Sequence, residues 1–214
     1  MDPRVLNRFG AVAGLIGVVG NVLAVAVLGE IPSAYRPDVV AAWTDEVLRA
    51  PLAASFSAIG FTVGLVALAG WAVVMGVRRR RAAAWAGAFL IASGALLNAA
   101  GTPAPLVVVH LLAPACGDTE SCRAAAMALL GASLALDATF NLLLGCGLVL
   151  VGLASMSEGE PRWLSWLTVA AGVASVPVSL QVTTPRGADL LLVAGPLWLF
   201  VITATSVRMW RAPS

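Results

Sequence analysis

Nearly all the charge in this chain of 214 residues is swept into a few short places, leaving six long apolar runs between them. The runs cover residues 9–29, 52–77, 82–113, 124–157, 163–185 and 188–207, and their only acidic residues are Asp137 in the fourth and Asp189 at the start of the sixth. A helix needs roughly 20 apolar residues to cross about 30 Å of hydrocarbon. A membrane barrel would instead show apolar and polar residues alternating over about ten positions, and these runs do not alternate. Because lipid satisfies no backbone hydrogen bond, a continuous apolar run is read as a helix. The pattern predicts an all-α polytopic transmembrane bundle of six helices, a single domain over 1–214. Its spans fall at about 9–29, 52–77, 82–104, 124–155, 163–184 and 188–208, with outer loops at 30–51 and 105–123.

Local punctuation shapes these spans. Pro103 and Pro105 should end the third helix near the outer face and leave a short apolar segment, Leu106–Leu112, at that interface. The fourth run is overlong, so its helix should tilt or project beyond the bilayer. Pro177 and Pro196 should kink the fifth and sixth. The first run, Phe9–Leu28, exceeds the roughly 7–15 residues of a signal-peptide core, so it is expected to remain as a spanning helix. In the first outer loop Val39, Val40, Trp43 and Val47 share one face of a short interfacial helix.

Composition agrees: 11% of residues are charged and 60% hydrophobic, against about 25% charged in an ordinary soluble domain. All 13 basic residues are Arg, as coding bias in a GC-rich genome would produce. Without Lys no retinal or pyridoxal Schiff base can form. Arg is retained on the cytoplasmic side during insertion. Arg4, Arg8, Arg78 to Arg81, Arg162, Arg208 and Arg211 fall on one side and Arg36, Arg49, Arg123 and Arg186 on the other, nine against four. Both termini are therefore expected in the cytoplasm, and the location is expected to be a bacterial cytoplasmic (inner) membrane. The Arg78–Arg81 run reads first as a topology anchor, ahead of an anionic-lipid or nucleic-acid site. Trp71, Trp85, Trp163, Trp166 and Trp210 fit an aromatic belt at the cytoplasmic ends.

Cys116 and Cys122, in the second outer loop, are expected to form a disulfide worth roughly 2 kcal/mol. Their spacing is not that of a Cys-x-x-Cys redox pair. Cys146 reads as a small buried apolar residue.

Gly10, Gly17 and Asn21 in the first span have the spacing of Gly87, Gly94 and Asn98 in the third. Small residues one heptad apart let backbones approach, and the Asn can bond across the contact. Three helical hairpins are one arrangement this echo allows, and the glycine faces also allow a homo-oligomer.

The best functional candidate is a polar stripe on the fourth span, Ser133, Asp137 and Asn141, spaced i, i+4, i+8. A carboxylate at mid-membrane costs about 2.5–3.5 kcal/mol on insertion scales, so Asp137 should face the bundle interior. It is either a site or an interhelical staple, bonded to Asn21 or to a Ser or Thr. His110, the only histidine, excludes bis-His haem and His-rich metal sites within one chain. It is placed near the outer interface, where it is either bland or a proton acceptor. Asn98, Gln181, Thr183, Thr184 and Asp189 lie at similar outer-half depth and, with His110, can line a pocket floored by Asp137. No phosphate loop or hydrolase motif is present, and no metal or cofactor is expected.

The stretch Phe140-Asn-Leu-Leu-Leu-Gly-Cys-Gly-Leu-Val-Leu-Val-Gly152, a short turn, and Pro161-Arg-Trp-Leu-Ser-Trp-Leu-Thr-Val-Ala-Ala-Gly172 resemble part of an uncharacterised bacterial six-helix integral membrane family, a domain of unknown function. The chain departs from that pattern at Asn141 and His110. The resemblance implies architecture and no activity.

Three functions follow as expectations. The first is a protein that binds or transports a small or lipid-like molecule in an intramembrane pocket based on Asp137 and Asn141, with Ser133, Asn98, Asn21 and Gln181 as ligand-binding residues. The second is an intramembrane enzyme on a lipid or isoprenoid, with Asp137 as acid and His110 as base. The third is a structural or partner-binding subunit. Membrane lipids are expected partners and nucleic acid is not.

Overall fold

The computed structural model describes residues 2–28, 37–79, 81–116, 119–182 and 186–212, with the side chains of 28, 37, 116, 181, 182 and 186–189 outside the described set. Among the described residues the fold is all helix. The elements are α1 (Pro3–Leu28), α2 (Pro37–Arg49), α3 (Pro51–Arg78), α4 (Ala82–Gly101), α5 (Ala104–Val107), a π-helical turn (Val108–Leu112) and α6 (Ala113–Cys116). There follow α7 (Glu120–Ser155), α8 (Arg162–Ser175), a 3-10 turn (Val176–Val182) and α9 (Arg186–Arg211). Six helical segments are long and apolar enough to cross a membrane: Pro3–Val27, Pro51–Arg78, Ala82–Ala115, Glu120–Ser155, Arg162–Leu180 and Leu190–Arg211.

Helix ends follow local chemistry. Pro51 opens α3 at a position where its missing N–H has no partner to lose. Thr119 caps α7 by accepting from the Cys122 N–H at 3.3 Å. Asp38 and Arg49 sit at the ends of α2 that suit their charges. Gly159, at φ +76°, makes the reversal from α7 to α8 in a conformation that a side chain would strain.

Each span packs on its sequence neighbours, and α9 returns to α1, so α1, α3, α4, α7, α8 and α9 close into a ring. Inside it lies one apolar core, with Leu65, Leu68, Trp71, Ile91, Leu144, Leu148 and Ile202 fully buried. Outside it large apolar side chains are exposed, among them Phe9, Phe56, Phe89, Leu192 and Phe200. That distribution suits a protein whose solvent is hydrocarbon.

Glycine makes the ring tight. A Cβ on Gly87 would stand 2.6 Å from the Gly147 carbonyl oxygen, one on Gly172 2.6 Å from the Gly145 carbonyl, and one on Gly20 2.7 Å from that of Gly60. The α4/α7, α7/α8 and α1/α3 interfaces are thus backbone against backbone. The echoed glycines do matching work: Gly10 and Gly17 face α3, while Gly87 and Gly94 face α7.

α4 ends at Gly101, just before Pro103 and Pro105, and residues 104–116 of the expected outer loop are wound into short helical turns. Pro103 precedes a new helical turn and Pro105 lies in its first residues, where neither costs a hydrogen bond. Trp71, expected in the aromatic belt, is fully buried in the core, whereas Trp85, Trp163, Trp166 and Trp210 are exposed as a belt requires. The expected pairing of Cys116 with Cys122 falls on the Cys116 side chain and so lies outside the described residues. Cys122 is buried with its Sγ 3.3 Å from the Leu112 carbonyl oxygen. Pro177 lies in the 3-10 turn and Pro196 inside α9.

A second, smaller apolar cluster sits at one end of the ring. There α2 lays Val40, Trp43 and Val47 against Ala54 of α3, Val108 and Leu130 of α7. The amphipathic helix read from Val39, Val40, Trp43 and Val47 therefore exists and caps that end.

Candidate functional site

Asp137 lies at the middle of α7, a helix of 36 residues that outruns the bilayer. Its carboxylate is engaged from two sides. Asn98 of α4 donates its amide to Oδ1 at 2.8 Å, and Asn141, one turn along α7, donates to Oδ2 at 3.2 Å and to the Asp137 carbonyl at 3.0 Å. Both asparagines are buried, so these bonds form away from water, where each counts for more. Gly94 and Gly101 of α4 lie directly against α7, with an added Cβ meeting Leu143 or Leu136 at under 3.0 Å. That approach brings the short Asn98 side chain within reach of Asp137.

The same carboxylate borders a cavity of about 50 Å³ under the cap helix. Its lining includes Trp43 of α2, Ser57 of α3, Asn98 and Thr102 of α4, and Ser133 and Asp137 of α7. Four elements therefore contribute polar atoms to one space. Ser57 donates to the Ala24 carbonyl at 3.0 Å, and Thr102 and Thr62 bond hydroxyl to hydroxyl at 2.7 Å. Trp43 is 7% exposed and its Nε1 is buried without a hydrogen-bond partner. Burying such a donor costs about 1–3 kcal/mol. The cavity thus has a fixed acceptor, the carboxylate, on its wall, with the Trp43 ring beside it and the indole N–H sealed from the space. Its volume suits a few water molecules or a solute of that size and has no room for an acyl chain.

The predicted site residues divide in three. Asp137, Asn141, Asn98 and Ser133 come together. Asn21 does not: it bonds the Gly17 carbonyl at 2.8 Å in its own helix and packs against Gly64. The staple envisaged between Asp137 and Asn21 is therefore made by Asn98 instead. His110 is exposed in the π-helical turn, where Nε2 lies 2.9 Å from Ser55 Oγ, and it does not line the cavity. The side chains of Gln181 and Asp189, and residues Thr183 and Thr184, lie outside the described residues.

Trp43, Ser57 and Thr102 were not expected in the site. Thr102 had a signal, since it follows Asn98 by four residues on the same face of α4. Among the described residues no group of three His, Cys, Asp or Glu side chains stands ready to hold a metal. No protein-family model, curated protein or solved structure matches the chain.

Proposed function

We propose that this chain is a multi-pass protein of the bacterial cytoplasmic membrane, with both termini inside, that binds or passes a small polar solute at Asp137. The observation that carries the reading is one cavity bordered by Asp137 together with the polar side chains of Ser57, Asn98, Thr102 and Ser133. A pure staple needs only the Asn98 bond and no space beside it. The cavity volume favours a solute of a few non-hydrogen atoms over a lipid-like one. The enzyme reading with Asp137 and His110 as partners finds less support, because only Asp137 borders the cavity.

The test uses proteoliposomes of the full chain under gradients of methylammonium chloride, urea and glycerol. Wild type should pass at least one solute faster than protein-free vesicles, and Asp137→Asn should remove that excess while the protein stays folded by circular dichroism. If Asp137→Asn lowers thermal stability but leaves all three fluxes at the wild-type level, Asp137 is a staple and the proposal fails.

A further inference from the structure

The basic end of the bundle holds a second space, about 500 Å³, within the size range of ligand sites. Arg78, Arg79 and Arg81, where α3 passes to α4, line it together with Ser157, Glu158 and Glu160 from the α7–α8 turn. A topology anchor needs only exposed cations. Arg79 is different: it is 7% exposed. Its Nε stands 3.6 Å from Glu158 Oε2, a long contact, and its Nη1 is buried with no hydrogen-bond partner. Glu160 is shared, since Arg208 Nη2 lies 3.1 Å from its Oε2, close enough to pair in charge though not aligned as a hydrogen bond. Burial draws the Arg79 guanidinium below its ordinary value, with Glu160 and then Glu158 opposing the shift and Arg78 adding to it. Arginine does not shed its proton in proteins, so the charge stays, met directly by one long contact to Glu158.

We propose that this space is a phosphate-binding site, in which the phosphate of an anionic lipid headgroup or a free phosphate lies among Arg78, Arg79 and Arg81. A phosphate presents the paired oxygens a guanidinium fork takes up. Its charge would complete a cluster in which three arginines face two glutamates, one of them already engaged by Arg208. The exposed Trp85, Trp163, Trp166 and Trp210 lie at the helix ends on this side, at the level where headgroups sit. Glu158 is then a competitor for Arg79 as well as its partner.

The experiment measures thermal unfolding of the full chain in detergent, titrated with phosphatidylglycerol, phosphatidylcholine or inorganic phosphate at constant ionic strength. Phosphatidylglycerol should stabilise wild type where phosphatidylcholine does not. Arg79→Gln and Arg81→Gln should each weaken the apparent affinity about fivefold or more. Glu158→Gln should instead strengthen it, a sign that a purely structural role for the cluster does not produce. Stabilisation by inorganic phosphate as well, with the same ranking of variants, assigns a free-phosphate site; stabilisation by lipid alone assigns a headgroup site. If Arg79→Gln fails to fold, Arg81→Gln and Glu158→Gln decide. Equal responses of wild type and these variants, or no response to either phosphate source, overturn the proposal.

Discussion

Residues of one chemical type take opposite fates in this molecule. Arg78, Arg79 and Arg81 look alike in a basic run, yet Arg79 is buried because the α7–α8 turn, carrying Glu158 and Glu160, folds over it. Trp71 and Trp85 both suit an aromatic belt, but Trp71 is inside the ring and Trp85 outside. Such choices depend on which neighbour passes overhead, which no single run records. The Ser133, Asp137, Asn141 stripe was legible because helical periodicity alone puts it on one face. Two substitutions separate the roles at this scale. Asn98→Ala removes the 2.8 Å donor to Asp137 and should cost about 1–3 kcal/mol, whereas Asn21→Ala, which breaks a bond only within α1, should cost less; chemical or thermal unfolding in one detergent compares them. Trp43→Phe keeps the buried ring but deletes the unsatisfied N–H, so it should leave the protein as stable or more stable in the same unfolding measurement.

Elements were read most securely where period and punctuation agreed. The cap helix α2 followed from four residues on one face, and α3 and α8 begin within a residue of their expected spans. Pro103 and Pro105 marked the end of α4, but the helical winding of residues 104–116 was not legible, since proline is neutral at the first turn of a following helix. The close helix pairs rest on glycine, and that can be measured. Gly145→Ala and Gly172→Ala each press a methyl group to within 2.8 Å of a backbone oxygen on the facing helix, so each should cost about 1–3 kcal/mol. Gly131→Ala on α7 meets nothing within 4 Å and should be neutral or gain up to about 1 kcal/mol from helix propensity. Equal losses at all three positions would argue against backbone contact at these interfaces.

For the whole molecule, the membrane character and the six spans were plain from charge segregation, while the order of helices around the ring was not. Apolar runs state length and depth, but not rotation or neighbours. Six spans among the described residues put both ends on one side, and the arginine count is what supports the proposal that this side is the cytoplasm. Reporter fusions test this: a fluorescent protein that matures only inside should glow at the C-terminus, and alkaline phosphatase there should stay inactive, with the opposite pair of results if the orientation is reversed. Ring closure has a further effect during synthesis. The sixth span completes the wall: α9 packs on α1, Arg8 stands 5.7 Å over the Trp210 ring, and an added Cβ on Gly14 would press against both Trp71 and Ser206. Until α9 leaves the ribosome, that seam is open to lipid and Trp71 is only partly enclosed. A chain cut before Arg186 should therefore insert five spans yet stay protease-sensitive, and α9 supplied as a separate peptide should close it.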